Sequence, residues 1–277
     1  MNSYRFFIVF ATLVTAGLST FATNGYRLVW ADEFNSDGTP NPNNWGYEHG
    51  FVRNNELQWY QSDNAVCRNG RLIIEGRRER KPNPNFVKGS TDWKKKRPFI
   101  DYTSSCLITK GKKSWKFGRF EVKARIKTQA GLWPAIWFLG IDGQWPSNGE
   151  IDLMEFYNGQ ILANACWGTG KQWRAKWDSS HTPIKTFKDP QWDQQFHLWR
   201  MDWDSKAIKL YLDDRLLNTI DLTKTINPNT EHGPRNPFHQ QHYLLLNLAI
   251  GGNSGGDPSK TPFPSLYEID YVRVYQK

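Results

Sequence analysis

The chain alternates short apolar runs with polar, turn-forming residues along most of its length. From Phe120 to Ile126, apolar residues take the even positions and charged residues the odd ones. That is the period of a strand with one buried face and one wet face. Similar runs of β-branched and aromatic residues predict strands over 27–30, 65–68, 71–76, 118–127, 136–139, 161–167, 197–203, 207–212, 243–249 and 267–275. No segment shows helical periodicity beyond a single turn.

Turn chemistry separates several of these runs. Asn69-Gly70 predicts a two-residue hairpin, and Asp213-Asp214 is a second turn candidate. Many short strands at this spacing predict an all-β fold, an antiparallel sandwich in which one sheet curves to form a groove. Because no repeat or composition break follows residue 22, residues 23–277 are predicted to form one domain. The Pro-, Gly- and Asn-rich stretches 80–98 and 225–240 are expected to be loops that carry specificity.

The first residues have the pattern of a targeting segment. Arg5 precedes a nearly unbroken apolar run from Phe6 to Leu18, and small residues follow around Ala22. This predicts a secretory signal peptide over 1–22, too short to span a membrane comfortably. No cysteine follows the run, so no lipid anchor is expected, and no later segment is apolar enough to cross a bilayer. We expect a protein that is secreted, periplasmic or at the cell surface.

Composition adds a binding function to this picture. The chain has 14 Trp, and 15% of its residues are aromatic. A core does not need so many, because Trp is rarely fully buried. The excess predicts a cleft for large, flat, uncharged faces. The three cysteines, Cys67, Cys106 and Cys166, allow at most one disulfide, and their wide spacing argues against zinc. They are expected to be small buried apolar groups.

The net charge of +9 comes partly from the basic runs Arg77–Lys81 and Lys94–Arg97. Such runs are usually solvated loops, and the functional alternatives are nucleic acid or an anionic or envelope polysaccharide. No DNA-binding motif accompanies them, so no nucleic acid partner is expected. Serine and metal hydrolysis lack support, because the six His are scattered and no Gly-x-Ser-x-Gly motif is present.

The candidate chemistry lies in the six residues from Glu150 to Glu155. Glu150 and Asp152 share one face of a regular strand, and Glu155 would point into the core, where an unpaired carboxylate is costly. A single bulge after Asp152 would turn Glu155 onto the face of the other two acids. The spacing therefore predicts a bulged strand with three carboxyl groups in a row.

Crowded carboxyl groups cannot all ionise easily, so one pKa rises while another stays low. Glycoside cleavage needs that division between a protonated acid and a nucleophile or base. A calcium site or a solvated acidic strand edge would explain a short acidic run equally well. The tryptophans just upstream, Trp133, Trp137 and Trp145, favour the glycosidase interpretation, because sugar rings commonly stack on aromatic planes.

Five motifs in order give the chain a resemblance to glycoside hydrolase family 16, near its laminarinase branch, over essentially all of 26–277. They are Trp30-Ala31-Asp32-Glu33-Phe34, Asn54-Asn55-Glu56-Leu57-Gln58-Trp59-Tyr60, Gly131-Leu132-Trp133-Pro134-Ala135-Ile136-Trp137, Gly149-Glu150-Ile151-Asp152-Leu153-Met154-Glu155 and Asp270-Tyr271-Val272-Arg273-Val274-Tyr275-Gln276. The resemblance implies a β-jelly-roll sandwich with an open cleft. It also implies endo-acting, retaining hydrolysis of β-linked polysaccharides.

The resemblance also assigns roles to individual residues. Glu150 is similar to the family's nucleophile and Glu155 to its acid/base, and Asp152 would hydrogen-bond to the nucleophile and tune its charge. The expected sugar-binding residues are Trp133, Trp145, Trp137, Trp167, Asn55 and Glu56. Glu33 and Asp270 match a pair of acids that hold a structural calcium in some members, and oxygen ligands suit that ion. No cofactor is expected for catalysis.

Departures from the laminarinase pattern leave the substrate open. Ala165-Cys166-Trp167-Gly168 replaces a segment that usually contains His-Trp, Cys106 stands where many members have Arg, and the segment Thr169–Trp177 also differs. A β-1,3- or mixed-linked glucan is the leading expectation. The alternative is a galactose-containing glycan of the poly-N-acetyllactosamine or keratan type. A non-catalytic carbohydrate-binding module and a transglycosylase are the alternatives in function class, and a monomer is expected.

Overall fold

The computed structural model describes residues 25–228 and 233–277, so the predicted signal peptide lies outside the described residues. The described chain is almost entirely β-structure, and its helical pieces are one short α-helix, α1 (Gly252–Gly255), and the 3₁₀ turns Ser62–Asn64, Ile184–Phe187, Trp192–Gln194, Leu222–Lys224 and Pro237–His239. The strands are β1 (Arg27–Asp32), β2 (Gly46–Tyr47), β3 (Gln58–Tyr60), β4 (Ala65–Cys67), β5 (Leu72–Pro82), β6 (Phe99–Ser104), β7 (Cys106–Ile108), β8 (Gly118–Arg125), β9 (Leu132–Gly140), β10 (Glu150–Tyr157), β11 (Gln160–Gly168), β12 (Ala175–Pro183), β13 (His197–Trp203), β14 (Ala207–Leu212), β15 (Arg215–Asp221), β16 (His242–Ile250) and β17 (Ser265–Gln276).

These strands form two sheets, as the alternating pattern predicts. The first, called here the cleft sheet, has the order β12-β11-β10-β9-β16-β7-β2. The second, the outer sheet, has the order β15-β14-β13-β8-β17-β5-β6-β3, with β1 added on β17 and β4 on β5. Every strand pair is antiparallel except β3 with β6, which is parallel. The all-β two-sheet sandwich expected from the sequence is confirmed.

The main core lies between the sheets. Strand β8 contributes Phe120, Val122 and Ala124, each at most 1% exposed, which confirms the apolar face of the alternating run. Its charged face forms ion pairs on the outer surface, Arg119 with Asp202 and Lys123 with Asp270. The wet face of this strand therefore meets solvent and does not line the groove.

The predicted turns are also present. Asn69 and Gly70 both have positive φ, and Arg68 and Arg71 exchange backbone hydrogen bonds across them. Asp213, with φ 52°, begins the turn between β14 and β15. The two residues of the first turn adopt the backbone conformation that Asn-Gly favours in a tight hairpin.

Several strands have no counterpart among the predictions, namely β2, β3, β6, β7, β12 and β15. Of these, β12 is the one beside the acidic strand pair: it begins at Ala175, within the segment Thr169–Trp177 that departs from the laminarinase pattern, and pairs with β11 over nine residues. Its side chains are mostly polar on both faces, so no apolar alternation marks it. It lies at the edge of the cleft sheet, where one long side of a strand has no strand neighbour.

Candidate active site

Strand β10 carries the three acids and contains the predicted bulge. Asp152 pairs with Asn164 of β11 and Glu155 with Leu162, so Leu153 and Met154 together oppose the single residue Ala163. Both bulged side chains are fully buried. Because the bulge absorbs one residue, Glu155 joins Glu150 and Asp152 on the wall of the cleft. The predicted bulge is confirmed.

Register across the cleft sheet places other side chains in line with these acids. Glu150 lies opposite Leu139 on one side and Cys166 on the other, and Cys166 in turn lies opposite Trp177. Directly opposed residues of antiparallel strands share a face. The side chain of Cys166 is therefore on the same sheet face as Glu150, buried beside it. All three cysteines are free and buried, as expected.

Each glutamate is held by the indole of a different tryptophan. Trp145 donates from Nε1 to Oε2 of Glu150 at 3.0 Å, and Trp133 donates from Nε1 to Oε1 of Glu155 at 2.9 Å. Each indole thus engages one oxygen of its glutamate, and Oε2 of Glu155 accepts a longer bond of 3.4 Å from Asn164. The two tryptophans orient the acids as well as supplying aromatic surface.

Asp152 is linked to Glu155 more closely than to Glu150. Asn164 donates from Nδ2 to Asp152 Oδ2 and to Glu155 Oε2, both at 3.4 Å, and the carboxyl groups of Asp152 and Glu155 are in hydrogen-bonding contact with each other. Two carboxyl groups share a hydrogen bond only if one of them holds a proton. Asp152 was predicted to hydrogen-bond to Glu150. In the free site its hydrogen-bonding partner is Glu155 instead.

Burial raises the pKa of all three groups. It raises the pKa of Glu150 to about 8, with repulsion from Glu155 added, and the pKa of Glu155 to about 7, against the lowering effect of the Trp133 and Asn164 hydrogen bonds. The pKa of Asp152 is raised well above its usual value by burial and by both neighbours. The three groups therefore titrate together, and the site retains a proton at neutral pH.

The acids open into a cleft of about 510 Å³ with mixed lining. Five aromatic side chains form much of its wall, namely Trp133, Trp137, Trp145, Tyr157 and Trp177. Polar side chains are interspersed, namely Arg53, Asn54, Glu56, Asn247 and Ser254. Flat aromatic faces beside hydrogen-bonding groups suit a sugar chain, which presents C–H faces and hydroxyl edges.

Comparison with known proteins identifies the family. Residues 54–272 match the family model of glycosyl hydrolases family 16. The β-glucanase of Rhodothermus marinus is 34% identical, over 91% of this chain and 85% of the relative. This chain belongs to glycosyl hydrolase family 16.

Solved structures of similar proteins include two kinds of family 16 enzyme. The catalytic domain of an endo-1,3-β-glucanase (laminarinase) from Thermotoga petrophila RKU-1 has TM-score 0.74 at 31% identity, covering 91% of this chain and 98% of that one. A second solved structure has TM-score 0.83 at 35% identity, covering 92% of both chains. It belongs to work on endo-acting O-glycanases that prominent members of the human gut microbiota express to initiate mucin breakdown. This family 16 chain is an endo-acting glycoside hydrolase that cleaves O-glycosyl bonds.

The structure places four of the six predicted sugar-binding residues of this family 16 enzyme in the cleft: Trp133, Trp137, Trp145 and Glu56. Trp137 donates from Nε1 to Asn247 Oδ1 at 2.7 Å, which fixes its ring in the floor. Glu56 is 2% exposed and accepts from Gln58 Nε2 at 2.7 Å.

The other two predicted binding residues point elsewhere. Trp167 is 4% exposed and packs in the core between the sheets, because it follows Cys166 on β11 and so takes the opposite face. Asn55 is exposed and donates from Nδ2 to Asn253 Oδ1 at 3.1 Å, and its neighbour Asn54 forms the cleft wall instead. The prediction for Trp167 is therefore wrong, whereas the binding role of Asn55, which lies outside the cleft wall, stays a prediction.

Sequence reasoning missed several residues of the cleft. The Arg53 guanidinium lies 4.9 Å from the Trp137 ring centroid and forms an ion pair with Glu48. Asn247 is brought to Trp137 by strand β16, 110 positions along the chain. No pattern marks Arg53, which merely precedes a motif, whereas Asn247 interrupts the apolar run of strand β16. Only the polar residue within the apolar run of β16 was a usable signal.

Glu33 and Asp270 do not fit a calcium ion. Arg273 binds Glu33 through two hydrogen bonds of 2.8 and 2.9 Å, and Lys123 pairs with Asp270 at 2.9 Å. Within residues 25–228 and 233–277, no group of three or more His, Cys, Asp and Glu side chains has an arrangement that could hold a metal ion. Calcium requires several oxygen ligands around one point. Here each acid is instead paired with a basic side chain, Glu33 with Arg273 and Asp270 with Lys123.

The described ranges also contain no helix with the length and apolar character needed to cross a membrane.

Proposed function

We propose that this hydrolase works by double displacement, with Glu150 as nucleophile and Glu155 as acid/base. In the first step a Glu150 oxygen attacks the anomeric carbon, the bond from that carbon to the glycosidic oxygen breaks, and that oxygen takes the Glu155 proton. In the second step water gives a proton to Glu155 while the water oxygen attacks the anomeric carbon, and the bond from that carbon to Glu150 breaks. The anomeric configuration is retained.

The hydrogen bonds of the free site support this division. Trp145 holds Oε2 of Glu150 and leaves Oε1 for attack. Trp133 holds Oε1 of Glu155, so the proton is assigned to Oε2, which has only the longer 3.4 Å contact with Asn164 Nδ2. The pKa of Glu150 is raised further than that of Glu155 in the free site, which is the opposite of the order the roles require. In the proposed mechanism the positive charge that develops at the anomeric carbon in the transition state favours the ionised form of Glu150.

Azide tests the two roles separately. Glu150→Ala with a glycoside that has a good leaving group should form an α-glycosyl azide, because azide enters on the face that Glu150 vacates. Glu155→Ala should form a β-glycosyl azide, because azide replaces water in the second step. If Glu150→Ala gave the β-azide and Glu155→Ala the α-azide, the two glutamates would have the opposite roles. If the first product of the wild-type enzyme had the α configuration, the mechanism would not be retaining.

We propose that the substrate is a galactose-containing glycan of the mucin O-glycan type. The observation that supports this is the TM-score of 0.83 with the O-glycanase structure, against 0.74 with the laminarinase domain at similar coverage. The departures from the laminarinase pattern agree with it, since Cys166 lies buried beside Glu150 and Trp177 extends the wall beyond it.

A β-1,3- or mixed-linked glucan is the second candidate. The 34% identity with the Rhodothermus marinus β-glucanase over most of both chains favours it. Product analysis on mucin O-glycans, keratan, laminarin and mixed-linked barley glucan distinguishes the two. Oligosaccharides from mucin or keratan alone support the first candidate, and release from the glucans alone replaces it with the second. Products longer than the substrate would indicate transglycosylation.

We propose that residues 1–22 direct export. Polymeric glycans of either kind are too large to enter a cell, so the enzyme must meet them outside the cytoplasm. Detection of a mature chain beginning near residue 23 in the medium or periplasm tests this proposal, and a full-length chain confined to the cytoplasm would contradict it.

A further inference from the structure

The net charge of the protein is concentrated in one part of the fold. The segment 77–97, called here the basic hairpin, contains nine Lys and Arg residues and two acids, and so carries +7 of the chain's +9. It comprises the outer half of β5 and the loop that leads to β6. The remaining 256 residues are nearly neutral in sum.

Several cations of the basic hairpin have no acidic partner. Arg77, Arg80 and Lys81 pair with Glu75, Asp101 and Glu79. Four others, Lys88, Lys94, Lys95 and Lys96, have no carboxylate within 4.0 Å in the described part of the chain. Three of these four lysines are exposed and Lys94 is half-buried. Their positive charge is therefore available to a partner.

The lysines stand on an ordered loop. Asn83 donates from Nδ2 to the carbonyls of Lys94 and Arg97 at 3.2 and 2.8 Å, and the Val87 amide donates to the Lys95 carbonyl at 2.9 Å. The Asp92 carbonyl accepts from the amides of Lys95 and Lys96. These hydrogen bonds join the two sides of the loop. The backbone positions from which the lysine side chains extend are therefore fixed.

The basic hairpin is joined directly to the wall of the cleft. Arg97 donates from Nη1 to the Glu56 carbonyl at 2.7 Å and from Nη2 to the Asn55 carbonyl at 3.0 Å. Its guanidinium also lies 4.9 Å from the Phe51 ring and 5.3 Å from the Trp93 ring. Since Glu56 lines the cleft, these contacts fix one end of the basic hairpin to the cleft wall.

We propose that the basic hairpin is an exosite for anionic groups, sulfate esters or carboxylates, on the part of the glycan that extends beyond the cleft. This proposal rests on the proposed galactose-containing substrate, because such chains carry those groups and plain β-glucans do not. A concentrated positive patch attracts an anionic chain over about 10 Å at 0.1 M salt and raises its local concentration at the site. Neutral chains gain nothing from it.

The test compares two fourfold variants with equal charge change. The exosite variant is K88Q/K94Q/K95Q/K96Q. The control variant is K185Q/K188Q/K206Q/K209Q, whose four lysines are exposed and lie on other elements. For each protein, kcat/KM is measured at low and at 0.3 M salt on keratan sulfate, on desulfated keratan, on sialylated mucin glycans and on the same glycans after sialidase.

The exosite variant should lose about tenfold in kcat/KM on the anionic substrates at low salt. It should keep wild-type activity on the neutral forms, and the control variant should keep it on all. Loss confined to keratan sulfate assigns sulfate as the group bound, and loss confined to sialylated glycans assigns the carboxylate. Unchanged activity on both anionic substrates, or equal loss on the neutral forms, would overturn the proposal.

Binding separates failure of the exosite from failure of the proposed substrate. Glu150→Gln is added to wild type and to both fourfold variants, and affinity for keratan sulfate and sialylated mucin is measured without cleavage. If only β-glucans are cleaved, the proposed substrate fails, but a tenfold loss of binding in the exosite variant alone still supports the exosite. Equal binding to double-stranded DNA would indicate a general polyanion surface and contradict it.

Discussion

The indole of Trp133 donates a 2.9 Å hydrogen bond to Oε1 of Glu155, and its ring simultaneously forms part of the cleft wall. In the proposed mechanism the same side chain would both contact the sugar and tune the charge state of Glu155, the proposed acid/base. Trp145 stands in the same relation to Glu150. Two tryptophan–glutamate pairs thus couple the aromatic surface of the cleft to its chemistry.

Trp133→Phe should shift the alkaline limb of the pH–kcat profile upward. The indole bond lowers the pKa of Glu155 by favouring its charged form, so its loss raises that pKa, and the acid stays protonated to higher pH. A hydrogen bond to a charged group contributes about 1.5 kcal/mol, which corresponds to roughly one pH unit. Trp145→Phe is the matched control and should move the acidic limb instead. An unshifted alkaline limb in Trp133→Phe would show that the indole does not tune Glu155.

Glu150→Gln and Glu155→Gln should stabilise the protein at alkaline pH. Burial raises the pKa of these groups from 4.5 to about 8 and about 7, so the folded state keeps protons that the unfolded chain releases. The free energy of unfolding therefore falls as pH rises from about 4.5 to about 8. A neutral amide removes that loss, which is on the order of 3–4 kcal/mol at pH 8 and small at pH 4.5. Thermal denaturation at both pH values measures it, and an equal change at both would contradict the linkage.

Trp167→Ala and Trp177→Ala should affect different properties. Trp167 is buried in the core, and its truncation should cost about 3–5 kcal/mol of stability. Trp177 is 45% exposed on the cleft wall, and its truncation should leave stability within about 0.5 kcal/mol while raising KM roughly threefold to tenfold. Thermal melts and steady-state kinetics on the same preparations check both. A large stability loss in Trp177→Ala would contradict its place on the wall.

The three cysteines should be unreactive in the folded protein. Cys67, Cys106 and Cys166 are at most 3% exposed and form no disulfide. Burial also raises the pKa of the Cys67 thiol to about 11, which keeps it protonated. Ellman's reagent should detect no thiol under native conditions and three after unfolding in guanidinium. A single thiol after unfolding would reveal a disulfide.

Local patterns predicted much of the fold and the acids. Strands β13 and β14 have the predicted bounds, His197–Trp203 and Ala207–Leu212, because their apolar residues alternate against one core. The bulge in β10 followed from the cost of burying a lone carboxylate. Strand β12 did not follow, since an edge strand with polar residues on both faces carries no period that differs from a loop.

The sequence by itself determined the all-β class, the bulged acidic strand and the family, because these depend on spacings within a few residues. Tertiary structure decided which side chains meet. Trp167 and Trp177 are both tryptophans near the acids, and only the pairing of β11 with β12 sends one to the core and the other to the cleft. Glu33 meets Arg273 across 240 positions, which replaces the expected calcium ligands with an ion pair. Such contacts depend on strand register between distant segments, which no local pattern encodes.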